Sequence, residues 1–237
     1  MHRNLLAAFA VIAAAFAAAF PASAGAAERR FTVTDFDRVQ ISGAYQVRLG
    51  TGHAASAVAS GPRGALDRVS IDVQGRTLRV RPNQSAWGGY PGEQNGPLTI
   101  VLTTQDLRAA SVDGAGLLDV DSAKAMRLEL IVAGSGRLTV ARVQADTLLL
   151  TQMGAGTIRV GGTAKSLRAE IHGAGNIEAE GLTADDAQIA ADTAGTIKLG
   201  VRRAAKITAT GSGDVEILGT PACTVKAIGA GQVRCGR

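Results

Sequence analysis

Aromatic side chains are scarce in this chain: one Trp, two Tyr and five Phe among 237 residues, about 3%. A core built without them must be layered thinly from Val, Ile, Leu and Ala. That favours a repetitive β architecture over an ordinary globule. Histidine is almost as rare. Beyond His2 there are only His53 and His172, and no Ser-His-Asp set can be assembled from them. Clustered basic residues are also missing. The formal net charge is +5, but the Lys and Arg residues stand singly and have no aromatics interleaved with them, so a nucleic-acid surface is excluded and a solvated charged surface is the reading.

There is one long apolar run, and it lies at the start. Met1-His2-Arg3-Asn4 is basic, Leu5 to Phe20 is apolar, and Pro21-Ala22-Ser23-Ala24 follows. This is the order of n-region, h-region and A-x-A cleavage site in a secretory signal peptide, with the cut expected after Ala24 or, at a second site, after Ala27. The alternative is a retained anchor, but the run is short for a span of about 20 residues and Pro21 interrupts its end. Export to the periplasm, the cell surface or the outside is therefore expected, with no stable membrane span after cleavage. Removing Arg3 with the signal takes the net charge from +5 to +4.

Glycine is abundant, at 30 residues, and it recurs in order. Gly-small-Gly stands at Gly114-Ala115-Gly116, Gly134-Ser135-Gly136, Gly154-Ala155-Gly156, Gly173-Ala174-Gly175, Gly211-Ser212-Gly213 and Gly229-Ala230-Gly231, with a degenerate copy at Thr193-Ala194-Gly195. The final glycines are 20, 20, 19, 20, 18 and 18 residues apart. Two residues after each stands Leu118, Leu138, Ile158, Ile177, Ile197, Val215 or Val233, and four after it Val120, Val140, Val160, Ala179, Leu199, Ile217 or Cys235. Between them the residues are polar: Asp119, Thr139, Arg159, Glu178, Lys198, Glu216 and Arg234. Period two on both sides of the triplet means half-buried strands.

Each unit is thus strand, glycine corner, strand. It cannot bury its apolar face alone, and stacking the units does so. The sequence predicts an all-β parallel β-helix, or β-solenoid, of about seven 18–20-residue rungs, some 34 Å long at about 4.8 Å per rung. In such a stack Arg159, Glu178, Lys198, Glu216 and Arg234 fall above one another with alternating sign, which is attractive.

The repeat, together with "FDRVQISGAYQVRLGTG" (Phe36–Gly52) and "GAGNIEAEGL" (Gly173–Leu182), resembles the DUF2807 family, also called the putative auto-transporter adhesin head GIN domain. The resemblance covers residues 36–237. It implies an exported β-helical domain, supplies no catalytic residues, and suggests adhesion through its name alone.

Residues 35–110 are β-rich but irregular. Val69–Val73, the Gln74-Gly75 turn and Thr77–Val80 form a hairpin pattern, and Leu98–Leu102 forms another strand. This part is expected to be a cap, continuous as one domain with repeats over 111–237, because an open rung exposes unpaired backbone. The loop Pro82–Pro97 carries Trp87 and Tyr90, candidate contacts for sugar rings; the alternative is an insertion with Trp87 tucked against the sheet.

Cys223 and Cys235 are expected to form a disulfide across the last rung, with two buried thiols as the alternative. Asp185, Asp186, Asp192, Arg202 and Arg203 are the best candidates for polysaccharide chemistry, but no ladder of acids recurs across rungs. "GSGDVEI" has a single Asp214, which does not make a calcium repeat. No catalytic, metal or cofactor residues are therefore assigned. The expected function is a non-enzymatic binding or adhesion scaffold of the cell envelope that meets its partner, a glycan among the candidates, on flat sheet faces. The alternative is a carbohydrate-active β-helix enzyme.

Overall fold

The computed structural model describes residues 27–83 and 96–236. It is 72% strand and 3% helix, with a β-solenoid of about six turns. The seven glycine corners bound six intervals, so the stack has about six turns where seven rungs were expected.

The N-terminal strands are β1 (Ala27–Phe31), β2 (Arg38–Ser42), β3 (Gln46–Thr51) and β4 (Ser56–Gly61). Helix α1 (Arg63–Asp67) is a single turn, and β5 (Val69–Gln74), β6 (Thr77–Pro82), β7 (Thr99–Thr104) and β8 (Ala109–Gly114) follow. The repeats are β9 (Leu117–Gly134), β10 (Arg137–Gly154), β11 (Thr157–Gly173), β12 (Asn176–Thr193), β13 (Ile197–Ala209), β14 (Val215–Leu218), β15 (Ala222–Ala227) and β16 (Val233–Cys235).

Two parallel files of strands flank the corners. Before the corner run β6, β2, β8, the ends of β9 to β13, and β15; after it run β7, β3, the starts of β9 to β13, β14 and β16. The first corner, Ser42-Gly43-Ala44-Tyr45, belongs to this stack: Arg38 pairs with Ala109 and Gln46 with Leu117, which places Tyr45 where the following rungs have glycine. Beyond it the N-terminal end is covered by antiparallel pairings of β5 with β6, β4 with β7 and β1 with β4.

The register follows the hydrophobic columns. Ile158 pairs with Ile177 and Ile177 with Ile197, and all three are fully buried. The alternation of buried and exposed residues is broken by adjacent exposed pairs such as Met126-Arg127 and Ala141-Arg142. There the inward parity resets, marking the other edges of each rung.

Corner glycines serve two purposes. Gly134 has φ +112, a region that suits glycine alone, and a Cβ on Gly136 would lie 2.6 Å from the Gly116 carbonyl oxygen. The close approach lets corner stack on corner: Ser135 N–H donates to Gly114 O at 3.0 Å and Arg137 N–H to Gly116 O at 2.9 Å. Thr193 keeps its corner without the first glycine, because its hydroxyl accepts from Gly195 N–H at 2.9 Å.

Candidate functional site

The largest concavity among the described residues is a groove of about 630 Å³ along one edge of the solenoid. It runs across rungs, unlike the flat-face contact expected from sequence. Its floor is a file of small side chains, Ala125, Ala145, Ala164 and Ala184, placed in register by parallel pairing. Alanine is what makes the edge concave, since a larger side chain at these positions would fill it.

One rim is the file Lys124, Gln144, Thr163 and Thr183; the other runs through Met126, Asp146, Lys165 and Asp185 to Arg202. On this second rim Lys165 Nζ lies 2.7 Å from Asp146 Oδ1. The Asp146 hydrogen bond and charge, with a smaller contribution from Asp185, raise the Lys165 pKa above the ordinary lysine value. Arg202 Nε donates to Asp185 Oδ1 at 2.9 Å. Met126 is 81% exposed at one end of the same rim. The rims thus offer amide, hydroxyl, carboxylate and ammonium groups over an apolar floor. From Lys124 to Thr183 is three rung steps, about 14 Å at 4.8 Å each. That shape suits an extended chain better than a compact small molecule.

The acids singled out from sequence are engaged. Asp185 pairs with Arg202 and Asp186 with Arg203, at 2.5 Å for the latter. His172 Nδ1 lies 4.0 Å from an Asp192 carboxylate oxygen on an exposed face, beside Met153 in the same file. The Asp214 carboxylate accepts the backbone N–H of Gln232 at 2.9 Å. No three His, Cys, Asp or Glu side chains gather as a metal set among the described residues.

Cys223 and Cys235 are joined as a disulfide with a Cα–Cα distance of 6.6 Å. They occupy the inward files of Ala205 and Ile217. Cys223 is nevertheless exposed and Cys235 half-buried, because no described rung lies over β15 and β16. Trp87 and Tyr90 lie outside the described residues. Among the described residues no helix is long and apolar enough to cross a membrane.

Neither the groove nor the buried Asp37 was found from sequence. The groove files are hidden by register shifts between Val140 and Val143, Arg159 and Gly162, and Ala179 and Thr183, where rung length varies. Counting from the corner glycine therefore loses its alignment before reaching the groove.

A family model described as "Putative auto-transporter adhesin, head GIN domain" (DUF2807) matches residues 35–221. Among solved structures, a putative adhesin from Bacteroides fragilis is 20% identical with a TM-score of 0.82, over 91% of this chain and 98% of that one. A putative lipid binding protein from Parabacteroides distasonis is 20% identical with a TM-score of 0.70, over 90% of this chain and 97% of that one. A putative adhesin from Parabacteroides merdae is 17% identical with a TM-score of 0.64, over 90% and 96%. These likenesses show the fold. No curated protein matches the chain.

Proposed function

The chain belongs to the putative auto-transporter adhesin, head GIN domain family, and on that premise we propose that it is an exported, non-enzymatic adhesion scaffold of the cell envelope that holds an extended, hydroxyl-rich polymer of the glycan class along its groove. The observation that carries this reading is the groove itself, which crosses rungs rather than enclosing a pocket and sets polar rims against a floor of alanines. A sugar chain presents hydroxyl edges to such rims and C–H faces to such a floor. The basic and apolar leader ending at Ala22-Ser23-Ala24 supports export, as does the Cys223–Cys235 disulfide. Pairing of Asp185 and Asp186 with arginines weighs against their use as free catalytic acids.

The test is a glycan and envelope-polymer binding array probed with the exported protein and two variants. Gln144→Trp fills the groove at an exposed rim position; Ala190→Trp places the same bulk on an exposed face away from it. The expected result is binding that survives Ala190→Trp and is lost in Gln144→Trp. Equal binding by all three proteins, or binding to none of the polymers, contradicts the proposal.

A further inference from the structure

Asp37 is a buried acid at the mouth of the first rung, with a side chain only 5% exposed. Three arginines converge on it: Arg76 Nε at 2.8 Å, Arg108 Nε at 3.6 Å and Arg38 Nε at 4.0 Å. The backbone brings them together. Asp37 N–H donates to Arg76 O at 3.1 Å and Arg108 N–H donates to Asp37 O at 2.7 Å, so three successive layers of the stack meet at this point. A buried carboxylate needs a cation, and one arginine would serve. Three leave a local charge of +2, from three guanidinium groups and one carboxylate.

The way the arginines are held matters more than their number. Each is closest to Asp37 through Nε, and the three side chains stay 61–65% exposed. Their Nη groups make no hydrogen bond among the described residues, while Asp37 Oδ1 is buried and accepts none. The free ends line an open depression of about 510 Å³ formed by Asp37, Arg38, Arg76, Thr77 and Arg108. Planar donors anchored at one end and unengaged at the other suit a tetrahedral oxyanion. A surplus of two charges matches a phosphate monoester, which carries about −1.5 to −2 near neutral pH, better than a single carboxylate.

We propose that Arg38, Arg76 and Arg108 form a binding site for a phosphate dianion, free or carried on a sugar. The site stands whether or not the groove binds a polymer.

The experiment is an NMR titration of the full exported protein, following the arginine Nε–H signals at constant ionic strength. The probes are inorganic phosphate, glucose 6-phosphate and glucose. Saturable shifts with the two phosphates and none with glucose are expected. Arg38→Gln and Arg108→Gln should each weaken binding about tenfold, with unchanged backbone amide spectra elsewhere. Arg38→Lys, which keeps the charge and loses the fork, should fall between; it also serves if a glutamine variant does not fold. Tighter binding of glucose 6-phosphate assigns the site to sugar-borne phosphate, and equal binding to the free ion. Absence of saturation with either phosphate, or wild-type affinity in the folded variants, overturns the proposal.

Discussion

Arg159 donates from Nε to the carboxylate of Glu178, its register partner in the next rung. The same outward file continues with Lys198, whose Nζ lies 3.6 Å from Glu216. Its inward neighbour Ile177 is fully buried. Parity along the strand therefore separates two very different substitutions. Ile177→Asp places an unpaired charge in an apolar file and should destabilise by several kcal/mol. Glu178→Ala removes an exposed ion pair and should change stability by less than about 1 kcal/mol. Urea unfolding of the two variants checks this, and similar losses in both would refute the assigned parity.

The corners make a second contrast. A Cβ on Gly156 would lie 2.5 Å from Gly136 O and 2.6 Å from Val132 Cγ1, whereas one on Gly181 would come no closer than 3.6 Å to Gly161 Cα. Gly156→Ala should destabilise by about 1–3 kcal/mol, as overpacking does. Gly181→Ala should be neutral or stabilise by up to about 1 kcal/mol, because it restricts the unfolded chain. Thermal unfolding midpoints moving in the same direction by the same amount would contradict the stacking of corners.

Tyr45 occupies the first corner, where burial raises its phenol pKa above the ordinary value near 10. A raised folded-state pKa contributes stability fully below the unfolded value and loses it as pH rises through the folded value. In a Tyr90→Phe background the phenolate absorbance should therefore appear above pH 10, with stability declining over the same range. Tyr45→Phe should remove that part of the decline. Normal titration at about 10 would mean that Tyr45 is not packed in the corner.

The disulfide closes a rung that has no described rung over it. Reduction should lower stability by up to about 3 kcal/mol on the chain-entropy model. The loss should begin locally, because Val225 is 44% exposed while Ile207, its partner one rung back, is 1% exposed. Hydrogen exchange after reduction should rise over residues 222–235 while Ile158 and Ile177 stay protected. A uniform rise along the chain would show that the last rung is not a separate unit.

The repeat columns were legible because period two and fixed corner spacing put the same chemistry at the same offset in each rung. Three features escaped. Tyr45 hid the first corner, since it lacks the final glycine and lies 71 residues before Gly116. Gln152 sits fully buried in an apolar inward file, held by donation from Nε2 to Gly156 O at 3.2 Å, and a polar residue there breaks the pattern used to find the file. Asp37 gave no signal either, because its arginine partners Arg76 and Arg108 are 39 and 71 residues away and meet it only once the layers stack.

The central claim, that a ligand lies along the groove and across rungs, is tested most directly by a hydrogen-exchange footprint of the protein with a polymer bound. Protection is predicted in four separate segments, 124–126, 144–146, 163–165 and 183–185, one per rung and recurring at the repeat spacing. Protection confined to the Pro82–Pro97 loop, or to a single continuous stretch of one strand, would contradict the account.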